Sequence, residues 1–174
     1  NTYLEDVYNA LDLDITPNRP DGFSHYGVAR DIALKTGRKL KDLSIKKATK
    51  KSQDIHDIAS VKIADKDDCP RYMGAVLENV SVGPTPDWMV ARLKAAGQRS
   101  INNIVDISNY VLLEMGHPTH IFDYDKIPSN TIGIRRVKND RQITTLDEEK
   151  RKLSQQQLLI TDGKKPIALA GIMG

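Results

Sequence analysis

Only one cysteine, Cys69, occurs in a chain of 174 residues, so no internal disulfide can form and no second thiol stands at metal-ligand spacing. A small buried or half-buried thiol is expected there. Long apolar runs are missing too: none approaches the roughly 18 residues that cross a bilayer, and the opening Asn1-Thr-Tyr-Leu-Glu-Asp6 has neither the basic nor the apolar region of a secretory signal. These absences lead us to expect a soluble, cytoplasmic chain with no membrane partner. No repeat of about 20 residues or more is found, nor any low-complexity tract beyond one lysine-rich segment. Neither sign of charge dominates, because 26 Lys and Arg stand against 23 Asp and Glu. A net +3 permits a polyanionic partner without demanding one.

What is present suffices for a packed domain. With 39% hydrophobic residues, a chain of this length can bury a real core in one unit. Residues 11 to 16 alternate Leu11, Leu13 and Ile15 with polar neighbours, which predicts a strand stopped by Pro17 and Pro20. A helix is predicted from about Ser24 to Thr36, with Asp21 as its cap and Gly37 as its stop. From Arg38 to Lys51 the chain is lysine-rich (Lys39, Lys41, Lys46, Lys47, Lys50, Lys51) and reads as an exposed connector. Strands are predicted at Val61 to Ile63 and Tyr72 to Val82. A helix should start at Thr85 and Pro86, with the Thr85 hydroxyl accepting from the first turn, and run to Gly97.

Between Ser100 and Glu114 apolar residues extend around most of a helical cylinder, which predicts an internal helix whose remaining polar edge is Asn102, Asp106 and Asn109. After Pro128 the texture is all-β, with short strands at Thr131 to Val137, Gln142 to Leu146, Arg151 to Leu153, Leu158 to Thr161 and Pro166 to Ala170. Asp162-Gly163 marks a hairpin. The fold class is α+β, with a mostly antiparallel sheet and a few packed helices. We divide it as 1–37 (N-terminal strand and helix), 38–60 (connector) and 61–174 (core).

The chemistry-bearing residues gather at the turn Gly116-His-Pro-Thr-His120. His117 and His120, near Asp123 and Asp125, invite a zinc or iron reading. Pro118 breaks the helical presentation such ligands need, and no third strong ligand stands at a diagnostic distance, so no metal site is expected. A Ser108, His120 and Asp123 or Asp106 triad lacks the strained Gly-x-Ser-x-Gly elbow. Ser108 sits on a helical apolar stripe, where a hydroxyl usually bonds the carbonyl one turn back. His120 reads either as a satisfied structural residue or as an acid-base group. Gly171 and Gly174 either let backbone approach a ligand with no Cβ in the way or form a tight strand exit. Asn18, Arg19 and Asp21 read as turn and cap chemistry, with Arg19 tying segments together.

The stretch Asp106-Ile-Ser-Asn-Tyr-Val-Leu-Leu-Glu-Met-Gly-His-Pro-Thr-His-Ile-Phe-Asp123 resembles the signature of the B3/B4 editing module in the β-subunit of bacterial phenylalanyl-tRNA synthetases. Asp14-Ile-Thr-Pro-Asn-Arg-Pro-Asp21, Cys69-Pro-Arg-Tyr72 and Pro166-Ile-Ala-Leu-Ala-Gly-Ile-Met-Gly174 are similar to the same family in the same order. The resemblance implies that Asn109, Pro118 and His120 line a pocket for the aminoacyl group. Ser108 stands where threonine is commoner, and Gly171 and Gly174 form the pocket floor. His117 and Thr119 depart from the commoner glutamine and methionine. Asn109 and His120 are the candidate catalytic residues, orienting water or the terminal ribose.

The implied reaction is hydrolysis of tyrosyl-tRNA of the phenylalanine type, within a heterotetrameric ligase that joins phenylalanine to its tRNA. Implied partners are the aminoacyl end of that tRNA, tyrosine or phenylalanine as small ligand, and the α-subunit. ATP and magnesium are expected in the parent enzyme and no cofactor in this chain. In the family the acidic residue that reads the tyrosyl hydroxyl lies beyond the glycine loop, so this chain is expected to be a fragment, inactive alone. Two other readings stand beside this one: a non-enzymatic module that docks tRNA or a subunit, and a free-standing aminoacyl-tRNA deacylase.

Overall fold

The computed structural model describes residues 10–45 and 53–172, in two compact units each made of two separate stretches of chain. The first unit is Asn1–Lys47 with Val80–Ile121, the second Ala48–Asn79 with Phe122–Gly174. Lys46, Lys47, Lys50 and Lys51 of the expected connector lie outside the described residues, as does Gly174.

In the first unit the strand expected at 11 to 16 does not form. Those residues carry no regular structure, and Leu11 is 87% exposed. Alternation alone supplies no partner for a strand's amides. Turns follow instead, with the Arg19 amide donating to the Thr16 carbonyl and the Gly22 amide to that of Arg19, both at 2.9 Å. A 3-10 turn, Pro20–Phe23, then leads into helix α1, His25–Thr36. Because that turn intervenes, Ser24 rather than Asp21 caps the helix, its Oγ accepting from the Gly27 amide at 3.0 Å. Gly27 is the point of closest approach, since a Cβ there would fall on the Asp21 carbonyl oxygen. Asp21 instead accepts from Arg19 at 3.0 Å and Arg30 at 3.2 Å, while Arg19 also reaches Asp31 at 2.7 Å. The expected tie through Arg19 is therefore present, between turn and helix. Two exposed cations hold the Asp21 carboxyl well below its ordinary range, to about 2, the Arg19 bond being the main cause.

Helix α3, Asp87–Ala95, and helix α4, Asn103–Met115, complete this unit, and α4 packs against both α1 and α3. Met89, Ala91 and Leu93 of α3 are buried. At their interface the Arg92 guanidinium lies 5.2 Å from the Trp88 ring and donates to the Tyr110 hydroxyl at 2.6 Å. Asn102 caps α4, its Oδ1 accepting from Ile104 and Val105. Contrary to the expected internal helix, α4 is half-covered in this chain, with Ile107 46% and Leu112 41% exposed. Its one fully buried residue is the acid Asp106.

The second unit holds the short helix α2, Ile55–Ile58, and six strands: β1 Ser60–Ile63, β2 Thr131–Arg136, β3 Gln142–Thr144, β4 Lys150–Lys152, β5 Leu158–Thr161 and β6 Pro166–Leu169. The main sheet has the order β1-β2-β5-β6, and β3 pairs with β4 in a separate ribbon. Pairing is antiparallel except between β1 and β2, which run parallel with Ser60 opposite Thr131. This is the expected α+β class. Leu159 and Ile160 are buried on successive positions, as a central strand covered on both faces requires. Val137, Ile143, Leu159 and Leu169 make the core, with Leu153 against it. The expected hairpin at Asp162-Gly163 forms, the Asp162 carboxylate accepting from the Lys164 and Lys165 amides at 2.9 and 2.7 Å. Tyr72 to Val82, expected as a strand, has no regular structure, and Met73 and Leu77 are each 72% exposed. A run rich in Val, Tyr and Met has strand propensity, but ladder partners decide, and this stretch pairs with none of the described strands.

Candidate functional site

The C-terminal end of α4 and the turn that follows carry the candidates of the first unit. Asn102 and Asp106 fix the start of the helix. The Asp106 carboxylate accepts from the Ile101 amide at 2.9 Å and from the hydroxyls of Thr85 and Ser100, each at 2.5 Å. Burial by itself raises the Asp106 pKa, but these donors outweigh it and hold the carboxyl below its ordinary range. Thr85 thus donates to Asp106 rather than capping α3, whose first turn has no side-chain cap. The acid on the polar edge of α4 is a hub joining the approaches to two helices. It is the feature sequence reasoning missed most completely. Its only sequence signal was an ionisable residue amid an apolar helix.

At its other end α4 closes on Gly116, which adopts φ 76° and donates its amide to the Leu112 carbonyl. His25, also unforeseen, reaches the Leu113 carbonyl with Nδ1 at 2.9 Å. A carbonyl oxygen can only accept, so Nδ1 carries the proton in this contact. The first turn of α1 is thereby tied to the last turn of α4, just before the histidine-bearing turn.

Ser108 does not bond the carbonyl one turn back. Its Oγ donates to the Thr119 carbonyl at 3.2 Å and lies 2.8 Å from the Thr119 hydroxyl. This contact draws residues 118 to 120 onto the face of α4, because the tied residue has Pro118 on one side and His120 on the other. Thr119, which spacing did not single out, is the clamp. Asn109 follows Ser108 on the helix, is half-buried, and makes no side-chain hydrogen bond to a described residue. Pro118 and His120 are exposed, as is His117. The stretch gathered by this contact therefore exposes a rigid proline ring and an imidazole, with the half-buried Asn109 next to Ser108 on the helix. Such a face can orient a water molecule and an ester.

Two other chemistries have their parts occupied. Asp123 accepts from the Asp125 amide at 3.2 Å and pairs with Lys126 at 3.5 Å, while Asp106 is taken by its three donors. Among the described residues no group of three or more His, Cys, Asp or Glu could hold a metal ion. Cys69, half-buried, lies with Sγ 3.5 Å from the Arg71 carbonyl.

Gly171 belongs to the second unit. It is the third residue of a turn closed by the Ile172 amide on the Leu169 carbonyl at 3.1 Å, and its φ of 72° is the left-handed value that turns of type II demand there. A Cβ on Gly171 would meet nothing within 4 Å, so the turn's dihedral rather than crowding selects glycine. No helix among the described residues is long and apolar enough to cross a membrane.

A family model described as the B3/4 domain matches residues 68–174. The chain is similar to the phenylalanine–tRNA ligase beta subunit of Geobacillus kaustophilus, 48% identical over 166 residues that cover 94% of this chain and 20% of that protein. The corresponding subunit of Fusobacterium nucleatum is 47% identical over 171 residues, covering 98% of this chain and 21% of that protein. That of Staphylococcus saprophyticus is 43% identical over 176 residues, covering 99% and 21%. The chain thus spans about one fifth of the length of these curated relatives.

Proposed function

The chain belongs to the B3/4 domain family, and from that premise we propose that it is the editing module of a phenylalanine–tRNA ligase β-subunit, hydrolysing tyrosyl-tRNA of the phenylalanine type. The observation that carries the reading is the Ser108 to Thr119 clamp. It supports Ser108, Pro118 and His120 as neighbours on one surface, with the Asn109 carboxamide beside them.

The physical need is discrimination by one hydroxyl. An apolar synthetic pocket rejects a substrate that merely adds a hydroxyl by only about 10²-fold. A second pocket that hydrogen-bonds that hydroxyl reverses the test, since phenylalanine would leave buried polar groups unpaired. In this reading Pro118 and the α4 face receive the aminoacyl group. Asn109 orients the attacking water or the terminal ribose, and His120 shares that task. As water adds to the ester carbonyl, negative charge grows on its oxygen. Preorganised backbone amides are the kind of donor that stabilises such charge without reorganising.

Within this proposal the parent enzyme works in the cytoplasm with an α-subunit, as a heterotetramer, and uses ATP and magnesium for aminoacylation elsewhere. Deacylation of tyrosyl-tRNA by the intact protein, with Asn109→Ala and His120→Ala beside it, tests the assignment. Each variant is expected to lose roughly 10²-fold in turnover, the scale of a lost positioning or acid-base group. Unchanged turnover in both would remove them from the mechanism. Absence of hydrolysis in the parent protein would return the chain to a docking role.

A further inference from the structure

Outside the candidate site lies a shallow concavity of about 620 Å³ between the β2–β3 turn and strand β4. Lys138, Arg141 and Lys152 line it, with the carboxamides of Gln142 and Gln155. The one acid in the lining, Asp140, is neutralised. Arg135 grips it with two bonds at 2.7 and 3.1 Å, and the Lys138 amide donates to it at 3.3 Å. The arginine bonds hold its carboxyl below the ordinary range against the opposing effect of partial burial. Arg136 and Arg151 are likewise matched, to Asp68 and Asp147. Among the described residues Lys138, Arg141, Lys150 and Lys152 have no carboxylate partner, and all four are exposed. The β3–β4 register pairs Lys152 with Gln142 and Lys150 with Thr144, so both lysines lie on the face opposite buried Ile143. They recur about 6.8 Å apart along the strand.

We propose that this concavity and the outer face of the β3–β4 ribbon bind the phosphate backbone of RNA. The cations are open to solvent and spread along an extended ribbon, which suits tracking a backbone rather than enclosing one small anion. No aromatic side chain lines the concavity, so bases find no stacking platform and binding is independent of sequence. The choice of RNA as the polyanion rests on the function proposed above. The phosphate chemistry stands on the charges alone.

The test is a titration of the intact protein with two fluorescent RNAs of unrelated sequence, at several salt concentrations. The triple variant Lys138→Ala, Arg141→Ala, Lys152→Ala, all at exposed positions, is expected to flatten the slope of log affinity against log salt by about one unit per cation removed, equally for both RNAs. A control variant, Lys35→Ala, Lys39→Ala, Lys41→Ala, removes the same charge elsewhere and should leave the slope near the parent value. Equal flattening by the control, an unchanged slope in the test variant, or competition by polyglutamate as strong as by unlabelled RNA would each overturn the proposal. If the parent protein does not hydrolyse tyrosyl-tRNA while the slope responds as described, the editing assignment fails and the backbone site stands. An unresponsive slope in a protein that hydrolyses tyrosyl-tRNA sinks the backbone site alone.

Discussion

Replacing Asp106 probes how α4, and the candidate face it carries, is held. The carboxylate is 0% exposed, has no ion-pair partner among the described residues, and accepts from the Ile101 amide and the Thr85 and Ser100 hydroxyls. Asp106→Ala orphans all three donors. At about 1 to 3 kcal/mol for each unsatisfied buried group, and with hydroxyls free to turn toward other acceptors, the expected loss is about 3 to 5 kcal/mol. That is a large share of the roughly 5 to 15 kcal/mol of a typical domain. Asp106→Asn keeps an acceptor for the amide, and its NH₂ can donate to hydroxyls that accept as well as donate. Only charge assistance is lost, and release from carboxylate desolvation offsets part of it, so about 1 to 2 kcal/mol is expected. The pH dependence separates the two effects. The folded pKa lies below the unfolded value of 3.8, so the charge contributes fully above that value and its contribution fades as pH falls through the folded pKa. Urea denaturation of the intact protein at a series of pH values reads this directly. The gap between parent and Asp106→Asn should be widest near neutrality and shrink below about pH 4. A gap independent of pH, or an Asp106→Ala loss under about 0.5 kcal/mol, would refute the hub.

Two local predictions accompany it. Gly27→Ala puts a methyl onto the Asp21 carbonyl oxygen, a backbone atom that cannot swing away, so a loss of more than about 2 kcal/mol is expected although alanine is the better helix former; a neutral or stabilising result in the same denaturation assay would mean the turn before α1 yields freely. Asp147 should titrate with a midpoint of about 2, because the Thr145 hydroxyl and then Arg151 hold its charge. Its contribution to stability is therefore present above 3.8 and lost as pH falls through about 2. Carboxyl-carbon NMR of Thr145→Val should move that midpoint back toward 3.8, and no movement would remove the hydroxyl as its cause.

Local chemistry made several elements readable in advance. The end of α1 follows from Gly37, whose φ of 66° suits a left-handed cap, and the strands after Pro128 follow from alternation broken by turn residues. What failed were readings of local pattern that a distant partner either overrode or did not supply. Residues 11 to 16 and 72 to 82 have strand-like letters but no ladder. Thr85 has the residue type of a cap, yet an acid 21 positions later claims its hydroxyl. Ser108 and Thr119 meet because Gly116 turns the chain back between them. Spacing could nominate Asn109, Pro118 and His120, but the tie that gathers such residues was invisible, because Thr119 carries no distinguishing chemistry until it is brought near.

The amino-acid order alone therefore determined the periodicities, most of the stops and the motif run from Asp106 to Asp123 that marks the family, since these depend on neighbours within a turn or two. Tertiary structure decided which apolar stretches became strands, and why a buried acid is tolerated in α4. It also decided which cations remain unmatched around the β2–β3 turn. Those outcomes depend on donors, acceptors and countercharges supplied from elsewhere in the chain, and each unit is itself assembled from two separate stretches.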